Sequence, residues 1–255
     1  SVSSYVVTVR KFFTWLETTR GLPNIARGIK GARRTRGFRK DPLTLPQAQE
    51  LLASIDRREI LGLRDHALIT LLTTTGLRTI EAIRANVEDI RQEGGEALLW
   101  IQGKGRDTKD EPAVLPAETL KPLYEYLAAR GPAKKDAPLF TSLSNRNGGG
   151  RLNTRTLRRI IKDRLRAIGI DSDRLTAHSL RHTAITLSLK GGATIQEAQA
   201  LARHANINTT LIYSHNIDRI KQAPERRIAA MLSGNTDNIS NTGNTVLPIN
   251  KGARA

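Results

Sequence analysis

Seven apolar residues, Val2, Tyr5, Val6, Val9, Phe12, Phe13 and Leu16, recur at three- and four-residue steps until Gly21 and Pro23 break the pattern. This is the signature of a helix with one wide apolar face, closed by two residues that cannot continue it. One helix cannot bury such a face alone. The segment must therefore pack on a neighbouring unit or on something outside this sequence, and the chain is expected to be a truncated piece of a longer protein.

The remaining length suffices for a large domain with a sizeable core. Its charge is lopsided, with 41 Lys plus Arg against 24 Asp plus Glu and a formal net charge of +17. An excess of that size calls for a polyanionic partner. Residues 27–40 hold seven cations and no acid, among them Arg33, Arg34 and Arg36, which are candidate DNA contacts. The run lacks the apolar face of a membrane-surface helix, which favours nucleic acid over a membrane. Taken alone, such a run is equally a solvated arm or a nuclear-import signal. The chain has no cysteine, which excludes disulfides, thiolate zinc sites and cysteine nucleophiles. No apolar run reaches the ~18 residues that cross a bilayer, and no signal-peptide pattern opens the chain. A soluble, cytoplasmic, DNA-associated protein with no membrane partner is expected.

Four domain segments follow: an opening helix over 1–20, a basic linker over 21–40, a larger domain over 41–233 and a tail over 234–255. The tail's Asn, Thr, Gly and Ser composition favours disorder. Within the large domain, Thr44 and Gln47 fit a capping box opening a helix through Ile55. Helices are predicted from Arg64 to Thr74, stopping at Gly76, and from Arg78 to Ala85. Two short strands, Ala97–Gln102 and Ala113–Leu115, flank a loop over 103–109. Helices are predicted over 117–130, 153–168, 177–190 and 194–202, near Tyr213, and over Pro224–Leu232. The fold class is mainly α with a small antiparallel β-sheet (α+β).

Several side chains have the chemistry to handle a phosphate. His178, Arg181 and His182 share one helical face. The His178–His182 pair has zinc-ligand spacing, but Ser179 stands where a metalloprotease has Glu, and no third ligand is evident. Gly76 closes one helix and Arg78 stands at the mouth of the next, near backbone donors that favour anions. The plainer alternative is an exposed Arg78–Glu81 ion pair. Lys104 sits between glycines at a hairpin tip, which is also where a merely solvated lysine would sit. His204 precedes Tyr213 by nine residues.

Together these segments resemble the tyrosine recombinase (phage-integrase-type) family from about Asp41 to Leu232. The resemblance rests on Thr44–Leu52, Thr75–Glu81, Gly103-Lys104-Gly105, His178–His182 and the His204–Tyr213 spacing. It implies that the opening helix ends a core-binding domain and that 41–233 is catalytic. It also implies six catalytic residues: Arg78, Lys104, His178, Arg181, His204 and Tyr213. Arg78 and Arg181 would clamp the non-bridging oxygens of a phosphodiester, and His204 would donate to them. Tyr213 would attack phosphorus, Lys104 would protonate the leaving 5′-oxygen, and His178 would act as base or shuttle. His182 would give a supporting hydrogen bond. Lys109, displaced from the family's usual second-lysine position, is the alternative acid and a candidate DNA contact. No metal or other cofactor is expected. The implied partners are double-stranded DNA and, on it, a homo-tetramer that exchanges the C-terminal helix. The implied activity is site-specific recombination through a Holliday junction. The alternatives are topoisomerase IB-like relaxation and a non-catalytic DNA-binding regulator.

Overall fold

In the computed structural model the chain divides into two compact units, Ser1–Phe38 and Arg39–Ala255. The structure describes residues 2–30, 41–103, 105–145, 147–214 and 224–233. The linker cations Arg33, Arg34 and Arg36, the loop residue Lys104 and the expected tail over 234–255 lie outside the described residues.

In the first unit, α1 (Val2–Arg20) occupies the predicted span, and Gly21 follows in the left-handed region with φ 66°. The next residues turn back on the helix. The Asn24 side chain donates to Glu17 Oε2 at 3.2 Å, Arg27 pairs with Glu17, and Ala26 is buried. Val2, Tyr5, Val9, Phe12 and Trp15 on α1 stay exposed, so this unit does not cover its own apolar face.

The second unit contains α2 (Leu45–Ala53), α3 (Ile60–Thr75), α4 (Thr79–Arg84), β1 (Ile90–Glu93), β2 (Glu96–Gln102), β3 (Lys109–Val114), α5 (Ala117–Arg130), α6 (Thr154–Ala167), α7 (Ala177–Lys190), α8 (Ile195–Ala202), α9 (Ile207–Ser214) and α10 (Pro224–Leu232). It is mainly helical with one small antiparallel sheet, the class the sequence predicts. The capping box forms as read: Gln47 N–H donates to Thr44 Oγ1 at 3.3 Å and Thr44 N–H to Gln47 Oε1 at 2.9 Å.

The central helix is α3. It starts at Ile60, four residues earlier than the pattern predicts. Gly62 reads as a weak helix residue, yet packing requires it, because a Cβ there would sit 1.7 Å from the Asp56 carbonyl oxygen. Ten of the sixteen α3 residues are buried, and the helix packs on α5 and α7. A helix covered on all sides has no polar face to show in its pattern.

The sheet has the order β1-β2-β3, with Ile90 opposite Leu99 and Leu98 opposite Val114. On β2, Ala97, Leu99 and Ile101 alternate into the core. The sequence reading missed β1, because Ile-Arg-Gln-Glu has no alternation and takes its strand form from pairing with β2. It also began β3 at Ala113, whereas pairing starts at Lys109. Pro112 lies within β3, which is an edge strand, where proline can be accommodated. No helix among the described residues is long and apolar enough to cross a membrane.

One buried ion network joins α3 to α6. Asp65, 3 % exposed, accepts from Arg64 Nε and Nη2 at 3.0 and 2.7 Å on Oδ1. Its Oδ2 accepts from Arg164 Nε and Nη2 at 2.9 and 2.7 Å. Removing the carboxylate leaves a buried guanidinium uncompensated, a loss of about 3–5 kcal/mol. Asp65→Ala should therefore lower the unfolding free energy by about that much in urea titration, with Arg164→Ala costing clearly less because its side chain is 24 % exposed.

Candidate functional site

The end of α3 sets the site's first wall. Gly76 adopts φ 60° and ψ 23°, which stops the helix and turns Leu77 into the core. A Cβ at Gly76 would lie 3.4 Å from the Ala184 methyl on α7, so the turn also allows close helix packing. Arg78 is the N-cap of α4. The sequence places it near free backbone donors that favour anions, and one of these, its own N–H, is taken within the chain. Glu81 reaches back to accept from Arg78 N–H at 2.7 Å and from Arg78 Nη1 at 2.6 Å. The Arg78–Glu81 pair therefore forms, but not as an exposed one: the Glu81 side chain is 0 % exposed and the Arg78 side chain 29 %.

Helix α7 supplies the second wall. Arg181 is 2 % exposed and donates Nη1 to the Gly76 carbonyl at 2.6 Å and Nη2 to the Ala202 carbonyl. A single buried guanidinium thus ties the end of α3 to the end of α8. Burial, together with the Arg78 charge, brings its pKa down to about 10, so it stays cationic at neutral pH. One turn back, the exposed His178 stacks edge-to-face on His182 at 4.6 Å. His182 is buried, and desolvation followed by its cationic neighbours lowers its pKa to about 4. His178 is lowered as well, by the surrounding protein and then by Arg181 and Arg78.

The third wall runs from α8 to α9. Arg203 caps α8 with φ 51° and ψ 48°, a left-handed conformation that costs a non-glycine residue about 1–2 kcal/mol. Its Nη2 donates to the Thr75 carbonyl at 3.3 Å and lies 3.7 Å from Glu81 Oε2. His204 is fixed from both sides of its backbone: its N–H donates to the Gln199 carbonyl at 3.2 Å, and its carbonyl accepts from Gln199 Nε2 at 2.9 Å. Its Nδ1 lies 2.9 Å from Thr210 Oγ1. With Thr210 donating, the ring carries its proton on Nε2 and can give a hydrogen bond to a ligand. Desolvation, and then Arg181, Arg78 and Arg203, bring the His204 pKa to about 4.

Tyr213 lies on α9, 3 % exposed, with its ring 5.3 Å from His182 and 6.2 Å from His204. Burial raises its pKa to about 12 against the opposing pull of Arg181. An open cavity of about 720 Å³ adjoins these groups, lined by Arg78, Gly103, Arg106, Arg203 and His204 among others. Tyr213 is not among the described residues that line it.

The fold thus gathers Arg78, His178, Arg181, His204 and Tyr213 into one neighbourhood, where their contacts and mutual charge effects overlap. Lys104 lies outside the described residues, although its neighbour Gly103 lines the cavity. Lys109 is held elsewhere, its Nζ 2.5 Å from the buried carboxylate of Asp89. Sequence reasoning missed Arg203 and Thr210, and it read Glu81 only as a surface partner. Adjacency to His204 was the single available hint for Arg203. Among the described residues no group of three or more His, Asp or Glu is placed to hold a metal.

Comparison with known proteins gives a consistent picture. The model of the phage integrase family matches residues 42–219. A tyrosine recombinase of Synechococcus elongatus is 35% identical over 187 residues, covering 72% of this chain and 57% of that protein. Tyrosine recombinase XerC of Pelobacter propionicus is 34% identical, over 72% of this chain and 58% of its own. The chain thus spans less than three-fifths of these two relatives. The XerH site-specific recombinase in a post-cleavage complex with a palindromic difH substrate superposes with a TM-score of 0.70 at 24% identity, over 91% of this chain and 67% of that one. A lambda integrase dimer bound to a COC′ core site gives 0.59 at 18%, over 82% and 57%.

The lowered pKa values of His178, His182 and His204, joined by that of His66 elsewhere in the fold, have one consequence for stability. The unfolded chain takes up protons near the usual histidine value of ~6.5, while the folded site resists them. Stability is therefore full above that value and falls as pH drops from 6.5 toward 4, the value to which His182 and His204 are lowered. The melting temperature should drop by on the order of 5 °C between pH 7 and pH 5. A His182→Asn variant should show a shallower drop by calorimetry.

Proposed function

This chain belongs to the phage integrase family of tyrosine recombinases, and from that premise we propose that it cuts and rejoins double-stranded DNA site-specifically through a 3′-phosphotyrosine on Tyr213. The observation that carries the reading is the gathering of Arg78, His178, Arg181, His204 and Tyr213 about one another, with Arg78 and His204 on the wall of a cation-rich cavity.

In this mechanism the scissile phosphate enters the cavity and meets the Arg78 guanidinium, which has donors to spare beyond Glu81. Arg181 contributes mainly as a fixed buried charge, since two of its donors serve carbonyls. His204 donates from Nε2 to a non-bridging oxygen. All three act where negative charge gathers in the transition state, and they need no reorganisation when it forms. The Tyr213 oxygen forms a bond to phosphorus as the bond from phosphorus to the 5′-oxygen breaks. A phenol of pKa about 12 enters this step protonated. His178, whose lowered pKa keeps it neutral at pH 7, is suited to take that proton. Lys104 is the proposed donor to the 5′-oxygen. The phosphotyrosine preserves the phosphodiester's free energy, so a 5′-hydroxyl from another strand can reverse the step without ATP.

Exchange in pairs requires a multimer, and we assign it to a tetramer on two duplexes. Helix α10 supports this assignment, because Ile228, Met231 and Leu232 are 55%, 65% and 85% exposed. Such residues suit a groove on a second copy. Met231→Asp should abolish the tetrameric complex on DNA in native gels while single-copy binding persists.

The decisive test uses the DNA flanking the gene, where inverted arms around a short spacer define the substrate. A nicked duplex that loses its 5′-hydroxyl fragment after cleavage traps the covalent adduct. Wild-type protein should accumulate an adduct that survives denaturation, Tyr213→Phe should form none, and Arg78→Ala should slow its formation by ~100–1000-fold. An adduct that persists in Tyr213→Phe would overturn the assignment. A wild-type protein with no adduct points to a DNA-binding regulator, and efficient relaxation of plasmid lacking the site points to a topoisomerase.

A further inference from the structure

Arg203 has no part in that mechanism, and four observations set it apart. It is the only non-glycine residue with positive φ among the described residues. Glycine would make the same turn without strain, so the backbone does not account for an arginine here. Its side chain is 8% exposed, and it lines the cavity together with Arg78 and His204. Its Nε is buried and has no hydrogen-bond partner among the described residues.

A buried N–H left without an acceptor is rare because its lost hydration is not replaced. The acceptors nearest to it serve other donors, and Glu111, a second carboxylate on the cavity wall, pairs with Arg106. The Thr75 carbonyl already receives Arg203 Nη2. Glu81 Oε1 holds Arg78 Nη1 at 2.6 Å, and its Oε2 holds Arg78 N–H at 2.7 Å. Glu81 is thus one carboxylate shared between Arg78 and Arg203, with the Arg181 charge close enough to lower the Arg203 neighbour His204 as well. Positive charge in this corner exceeds negative charge, and one donor is idle. A tetrahedral oxyanion in the cavity corrects both at once.

We propose that Arg203 is a third phosphate-binding arginine: its side chain lines the cavity, and a small rotation of the guanidinium presents the buried Nε–H to the phosphodiester that Arg78 grips. The identity of the anion as a DNA phosphate rests on the strand-transfer reading. The left-handed cap has a purpose in this arrangement, because it sends the side chains of consecutive residues, Arg203 and His204, to one cavity.

Two measurements test this, and the first does not depend on cleavage. ¹⁵N-labelled Tyr213→Phe protein is titrated with inorganic phosphate at constant ionic strength, with the Arg203 Nε–H resonance assigned by its loss in Arg203→Lys. The Arg203 and Arg78 Nε–H resonances should move together along one saturation curve. Movement of Arg78 with Arg203 unmoved, or no movement of either, overturns the proposal. In the second, Arg203→Gly, which suits the observed φ and should fold, is compared in single-turnover adduct formation on the nicked duplex. Its rate should fall ~10–100-fold, with Arg203→Lys recovering part through its retained charge. Wild-type rates in Arg203→Gly overturn the proposal. If wild-type protein forms no adduct while Arg203 still responds to phosphate, strand transfer is wrong and the phosphate site stands.

Discussion

The Arg181 guanidinium is the constraint on which the rest of the site depends. A cation 2 % exposed is tolerated only where acceptors surround it, because its lost hydration is otherwise uncompensated. Here the acceptors are the carbonyls of Gly76 and Ala202, at the closing turns of α3 and α8. Helix ends carry carbonyls that no intrahelical N–H can reach. Arg181 satisfies two of them and is satisfied in return. The same bonds fix where Arg78 and Arg203 begin, since each lies within two residues of an anchored carbonyl. Geometry at the phosphate side of the site is therefore a by-product of burying one charge.

That arrangement also explains the protonation pattern. Arg78, Arg181 and Arg203 surround Glu81, with Glu111 farther along the cavity wall, and each histidine nearby is held in its neutral form by burial and by the arginine charges. Neutral imidazole is the useful form for both assigned roles, as proton acceptor at His178 and as Nε2–H donor at His204. An imidazolium at either position would add positive charge to a corner that already lacks anions. The excess of positive over negative charge in this corner favours an anion at one place, which the net charge of +17 does not. Net charge acts at long range on any polyanion, whereas a cluster of fixed guanidiniums acts on a single anionic group.

Legibility from sequence followed local physics. Capping boxes, glycine stops and helical periodicity placed nearly every helix, because those signals act within a few residues. Strand β1 escaped because its form comes from its partner β2. The early start of α3 escaped because Gly62 answers to the Asp56 carbonyl, a packing fact with no local trace. At the site, the residues with familiar chemistry were visible as spaced blocks. Arg203 was not, since one more arginine in a chain with 41 Lys plus Arg carries no signal. Its distinctive features, a left-handed backbone and an idle buried donor, exist only in three dimensions.

Tyr213 shows how the site divides its labour. The arginine corner is anchored to helix ends through the carbonyls of Thr75, Gly76 and Ala202. The phenol is 3 % exposed, packed on His182, and raised by burial to a pKa of about 12. On the strand-transfer reading it must gain access to phosphorus and contact with a base, and both come from displacing α9. The contacts that hold Tyr213 in place include the Thr210–His204 hydrogen bond and the ring packing on His182 and His204. Moving Tyr213 relieves the desolvation that raises its pKa, so exposure and activation are one event. On that reading a phenol held back by burial attacks phosphorus only after α9 has moved, which makes cleavage follow, and not precede, assembly of the site.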